Sequence, residues 1–175
     1  MKPITLFDVA LPTFINGLTQ VHTFIDAAVA HAESKKVNPD HFMHERLIVD
    51  QFAFAKQVQA TCDAAKLCAA KIAGIEAPKY DDTEATLAEL KTRIENTLVF
   101  LKTVTPEQFN GNESKVIPMS WMPEMGIRAQ EYVIHYSIPN FFFHMTTAYQ
   151  ILRTNGVSLG KADFMGKLPL EPIAA

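Results

Sequence analysis

The sequence predicts an all-α protein built as a helical bundle, and three observations carry that prediction. Four long segments place apolar residues at spacings of three and four, the period of a helix with one buried face. Most connections between them are short, which sets consecutive helices side by side. One stretch, residues 105–127, breaks the texture with turn residues and prolines, and reads as the single long crossover between the third and fourth helices.

The first segment, roughly 5–34, aligns Leu6, Ala10, Phe14, Leu18, Val21, Ile25, Ala28 and Ala32 on one stripe. Thr5 and Asp8 have capping-box spacing. Pro12 either kinks this helix or separates a short leading turn from it. SKKVNPD ends the segment, because Asn-Pro disfavours continued helix. The second segment, roughly 42–73, carries Leu47, Phe54, Val58, Thr61, Ala65, Cys68 and Ile72 and stops at Gly74, a good C-terminal cap. IEAPKYDD is a linker, after which Asp82 or Thr83 caps a third helix striped by Leu87, Leu90, Ile94, Leu98, Leu101 and Val104.

The 105–127 excursion is irregular or a small hairpin. It is expected to cover one end of the bundle with Trp121, Met119, Met122 and Met125. In the fourth segment, roughly 128–155, YVIHY is either a strand or the first turns of a helix kinked at Pro139. The tail is expected to be ordered to about Met165, with Phe164 against the bundle and the proline-containing end loose.

At 175 residues the chain reads as one domain, 1–175, of a size that buries about two thirds of its unfolded surface. With 48% hydrophobic and 20% charged residues it has the balance of a soluble globular protein. The net charge is −3 with both signs mixed, so there is no basic stripe for nucleic acid. Cys62 and Cys68 lie six apart on one predicted helix and face different ways, so they read as buried thiols. The N-terminal stretch is interrupted by Asp8 and Pro12 and lacks a signal-peptide run. No segment has the apolar length of a membrane span. A cytoplasmic protein with no membrane partner is expected.

No nucleophile elbow, zincin motif, phosphate loop or dinucleotide fingerprint is present in the sequence. Two inward-facing polar residues are left to carry chemistry. His144 shares a helix face with Val133, Ser137, Asn140, Phe141, Ala148 and Ile151, and Asn140 stands at i−4, the spacing at which two side chains share one ligand. Asp50 sits on the stripe of the second segment with Leu47 and Phe54, and Gln57 follows one turn beyond Phe54. A buried carboxylate needs a donor, a metal or water. An Asp50–His144 hydrogen bond or a metal between them would satisfy both, making these the candidate catalytic pair, with Asn140 and Gln57 in the pocket. The alternative is that His144 is a hydrogen-bonded core residue. His41 and His44 flank a helix start and read as capping residues, and His22, His31 and His135 share no face with a partner.

PNFFFHMTTAYQILRTNGVSLGKADFMG, HERLIVDQFAFAKQVQATCDAAKLCAAKIAG and FNGNE together resemble a bacterial domain-of-unknown-function family allied to the DinB/YfiT-like metalloenzyme superfamily, over nearly the whole chain. The resemblance implies an up-down-down-up four-helix bundle, frequently a homodimer, and a helix over 128–155. It also implies a zinc, nickel or similar divalent ion held by a histidine of the second helix and an H-x-x-x-H pair on the fourth. His144 matches the second histidine of that pair, as a metal ligand, while Asn140 stands at the first. No histidine falls between Glu45 and Gly74, where Asp50 and Gln51 are the inward polar candidates. Two functional expectations follow. One is a small-molecule transferase or hydrolase relative using Asp50 and His144. The other is a non-catalytic dimeric small-molecule-binding or stress-associated protein.

Overall fold

The computed structural model describes residues 3–173. The protein is mostly helical. In order come α1 (Leu6–Lys35), a 3-10 turn (Pro39–His44), α2 (Phe54–Ala73), α3 (Leu87–Thr103), a short α4 (Pro106–Phe109), strands β1 (Val116–Pro118) and β2 (Gly126–Arg128), α5 (Ala129–Glu131), a π-helical turn (Tyr132–Ser137), α6 (Ile138–Thr154) and a short α7 (Lys161–Met165). The fourth segment is therefore helical, and the strand alternative for YVIHY is not realised. Two antiparallel strands, with Ile117 opposite Ile127, realise the small-hairpin alternative for the excursion in an otherwise mostly helical chain.

Local chemistry sets the ends of the long helices. Thr5 caps α1: its Oγ1 accepts from Asp8 N at 3.3 Å while Asp8 accepts from Thr5 N at 3.0 Å, which satisfies two orphan amides at once. α1 runs on through Pro12 without a break. Thr86 and Glu89 repeat the box at α3, three residues beyond the nearer expected cap at Thr83. Gly74 ends α2 with φ at +71°, a left-handed turn glycine adopts without penalty.

α2 packs against α6 and α3, and α1 packs against α3 and α6, around one continuous core. The α1–α6 contact depends on Gly17, where a Cβ would overlap the ring of the fully buried Phe141. Pro139 explains the wide turn just before it. A proline ring crowds the carbonyl four residues back and offers no N–H, and the helix answers by opening to π geometry over Tyr132–Ser137.

Two expectations are corrected. The helix expected from residue 42 begins at Phe54. Residues 39–44 form the 3-10 turn instead, held where Asp40 Oδ1 accepts from Leu87 N at 2.9 Å. The chain must then turn back toward α2, and it does so through 45–53, closed by Phe54 N donating to Glu45 O at 2.8 Å. Ile48 and Val49, poor helix formers, lie in that turn with Leu47, Ile48, Val49 and Phe52 exposed. The excursion is anchored by buried Phe109 and Ile117, while Trp121, Met122 and Met125 are exposed, so of the expected apolar cover only Met119 packs against the core.

Phe164 of α7 packs on Phe24, Phe142 and Tyr149, and residues 166–173 have no regular structure. Among the described residues no helix is long and apolar enough to cross a membrane.

Candidate functional site

α2 and α6 run side by side in opposite directions: Gln57, near the start of α2, meets His144 on α6, and Lys71, near its end, meets Tyr132. His144 projects from the middle of α6, half-buried, toward the first turn of α2. Its Nδ1 lies 2.8 Å from Gln57 Oε1, and Gln57 Nε2 donates to the Phe52 carbonyl at 3.2 Å. A backbone carbonyl only accepts, so the NH2 end of the Gln57 amide must face Phe52 and its oxygen must face the imidazole. The ring therefore donates from Nδ1 and, when neutral, carries its lone pair on Nε2. Burial pushes the His144 pKa down from its ordinary value, which favours that neutral form. Phe52 lies parallel to the ring at 6.4 Å and Phe143 meets it edge-on at 5.2 Å.

The structure brings together only part of the expected set. His144 and Gln57 are joined directly. Asp50 lies in the exposed 45–53 turn, outside α2, and has no hydrogen bond or ion pair among the described residues. Asp50 and His144 share no direct hydrogen bond among the described residues: the stripe that placed Asp50 inward assumed helix where the chain turns, and an exposed carboxylate needs no protein partner. Asn140 is half-buried one turn before His144 but lines a neighbouring groove with Lys56, Ala60 and Tyr136. Its amide makes no hydrogen bond with His144 among the described residues. Gln51 stands in the same turn as Asp50.

At the position where the resemblance implies an ion, the donors are the imidazole of His144 and the carboxamide of Gln57, with the Asn140 carboxamide in the neighbouring groove. Zinc and nickel favour imidazole and thiolate ligands, and neutral amides compete poorly with water for them. Among the described residues no group of three or more His, Cys, Asp or Glu side chains is placed to hold a metal. The residues present do not fit a zinc or nickel centre. Cys62 and Cys68 are buried on separate faces, their thiols pushed up to about 12 by burial, so neither supplies a thiolate near neutral pH.

A second polar cluster went unread in the sequence. Arg93, buried on α3, donates to Asp63 at 2.9 Å and to Glu84 at 2.9 Å, and pairs with Asp82 at 2.7 Å. Lys66 joins Asp63 at 3.0 Å and also donates to the Pro78 carbonyl at 2.9 Å. Lys66 and Arg93 both lie over the Tyr80 ring, at 3.9 and 4.6 Å. The cluster ties the 74–86 linker to α2 and α3. Its only advance signal was the run of acids in YDDTE opposite one arginine beside an apolar stripe.

The chain is similar over 96% of its length, and 96% of the other chain's, to a crystal structure of a DinB family member protein from Shewanella denitrificans, at 39% identity and a TM-score of 0.92. None of the curated proteins compared matches it. The model of a domain of unknown function, DUF1993, matches residues 6–165. The match covers all the long helices as well as the excursion between the third and fourth, and the chain belongs to the DUF1993 family.

Proposed function

We propose that this DinB-like protein is a non-catalytic binder of a small organic molecule, carried on an up-down-down-up four-helix bundle, with His144 as its polar anchor. The observation that carries the reading is the relay from the Phe52 carbonyl through Gln57 to His144. It fixes the tautomer that, in the neutral ring favoured by burial, leaves Nε2 as an acceptor, beside the phenyl rings of Phe52 and Phe143. Such a group suits a ligand that offers one hydroxyl or N–H donor on an apolar body. Phe143, which meets the His144 ring edge-on, also lines a cleft of about 440 Å³ with Leu47, Phe142, Thr146, Thr147 and Gln150, and an apolar body reaching past Phe143 would enter it. The transferase or hydrolase alternative needs a second acid–base group paired with His144, and the hydrogen-bond partner of its ring is the neutral amide of Gln57.

Phenol is the simplest probe with this chemistry, and toluene is its control without a donor. Titrating phenol into protein with 15N-labelled histidine should shift the His144 Nε2 resonance, and toluene should not. Equilibrium dialysis against zinc or nickel should leave no ion bound through His144. Near-stoichiometric metal that is lost in His144→Ala, or a His144 resonance indifferent to phenol, would sink the reading.

The bundle is further proposed to be a homodimer, with the exposed Leu47, Ile48, Val49, Phe52 and Phe143 as the shared face. Sedimentation equilibrium showing a monomer at micromolar protein would remove that part.

A further inference from the structure

We propose a second ligand site, independent of His144, in the groove between α2 and the π-helical turn, and we assign it to a small planar organic anion such as an aromatic carboxylate. The floor is made by Ala60 and Ala64, small enough to let a ring approach the α2 backbone, and the walls by Trp121, Tyr136 and Asn140. Its volume is about 220 Å³, roughly seven liquid waters, which admits a single-ring molecule and excludes a nucleotide.

The aromatic wall is ordered by the helix beneath it. The Trp121 and Tyr136 ring centroids lie 5.0 Å apart, and those of Tyr136 and Tyr132 lie 5.3 Å apart at an interplanar angle of 28°. Tyr132 and Tyr136 stand four apart on the π-helical turn, so the two rings lie on one face of it. Trp121 is the exposed end of the ladder, and it has an apolar face with nothing of the core against it. A planar ligand slides against that face at little conformational cost.

The sign of the ligand follows from the charges. Lys56 is engaged by Asp82, and Asp63 by Lys66 and Arg93. Lys71 has no carboxylate or hydrogen-bond partner for its Nζ among the described residues, which stands 5.5 Å from the Tyr132 ring centroid. Lys115 lies outside the groove, its Nζ held by the Lys71 carbonyl at 2.8 Å. Of the groove's own cations Lys71 is therefore the one without a carboxylate partner among the described residues, it stands beside a stacked aromatic wall, and a monoanion with a flat apolar body matches both.

Benzoate is the probe. Trp121 is the one tryptophan of the chain, so its emission reports the site directly. Benzoate should quench it with a saturable curve, whereas benzamide, which keeps the ring without the charge, and acetate, which keeps the charge without the ring, should each bind about tenfold more weakly or worse, the scale of one charged hydrogen bond. Lys71→Met should weaken benzoate by a similar factor, Lys71→Arg should restore it, and His144→Ala should leave it unchanged. Saturation-transfer NMR on the benzoate ring protons gives a second readout in each variant. Absence of saturable binding by both methods overturns the proposal. So does equal affinity for benzamide or acetate, or Lys71→Met binding as well as the parent. Loss of binding in His144→Ala would assign the ligand to the His144 site and overturn this one, while leaving the reading above intact.

Discussion

At His144, one hydrogen bond sets the tautomer of the ring and burial sets its charge. Gln57 accepts from Nδ1, and among the described residues no carboxylate is paired with the ring to favour imidazolium. With the folded pKa below the ordinary value of 6.5, the unfolded chain takes up its proton first as the solution is acidified. Proton uptake by the unfolded state lowers folding stability. The contribution of His144 is therefore complete above the unfolded value and fades as pH falls through it toward the lower folded one. As pH falls through 6.5, the ordinary value, the urea midpoint of the parent should fall relative to that of His144→Leu, because only the parent carries that titration. A parent midpoint that instead rose relative to His144→Leu on acidification would mean that the ring is stabilised as a cation and that burial does not dominate its titration.

At the scale of elements, α3 and the linker before it are held by charge as much as by apolar packing. Burial works against the guanidinium of Arg93, and Glu84, Asp63 and Asp82 more than offset that cost. Burial likewise opposes the charges of Asp82 and Glu84, yet hydrogen bonds from Lys56 and Arg93 to the first, and from Arg93 and Gln59 to the second, hold both carboxyls below their usual range. Removing Arg93 leaves its carboxylate partners facing one another in a partly dry space. Arg93→Met should cost about 3 to 5 kcal/mol, the usual penalty for breaking a buried ion cluster from one side, and proteases should then cut the 74–86 linker first. A loss under about 1 kcal/mol, typical of an exposed pair, would show that water had already replaced these bonds. The helices themselves were legible from their apolar stripes, since a period of 3.6 on Leu87, Leu90 and Ile94 admits no other reading. Asp50 was misplaced because Leu47 and Phe54 keep helical spacing by coincidence across a turn, and only the contact of Asp40 with the Leu87 amide reveals why the chain leaves the helix there. The Arg93 cluster was hidden for a different reason: its acids come from α2 and an irregular linker, and no spacing rule connects them to α3.

For the molecule as a whole, the three phenylalanines 141 to 143 divide the work by direction. Phe141 is fully buried, 5.1 Å from Phe14 and pressed on Gly17, so it joins α1 to α6 at the centre of the core. Phe142 is half-buried and meets Phe164 at 6.4 Å, which ties α7 to the helices. Phe143 is exposed. Truncating a buried Phe to Ala removes its transfer energy and leaves a cavity, about 3 to 5 kcal/mol, against a total stability of order 5 to 15. Phe141→Ala should therefore weaken every part of the protein together, with circular dichroism and hydrogen exchange in α1, α2 and α6 shifting in step. Phe142→Ala should act locally: exchange should rise in α7 and around Tyr149, with a small fall in the global midpoint, since the lost contacts tether a segment outside the main packing. Phe143→Ala should leave the unfolding of an isolated chain within about 0.5 kcal/mol of the parent, as for an exposed residue. If Phe143→Ala lowers the midpoint, and does so less as protein concentration rises, the side chain is buried against a second copy, because mass action restores an interface that a mutation has only weakened. A concentration-independent loss would instead place Phe143 in the stability of the single chain and remove it from the proposed dimer face.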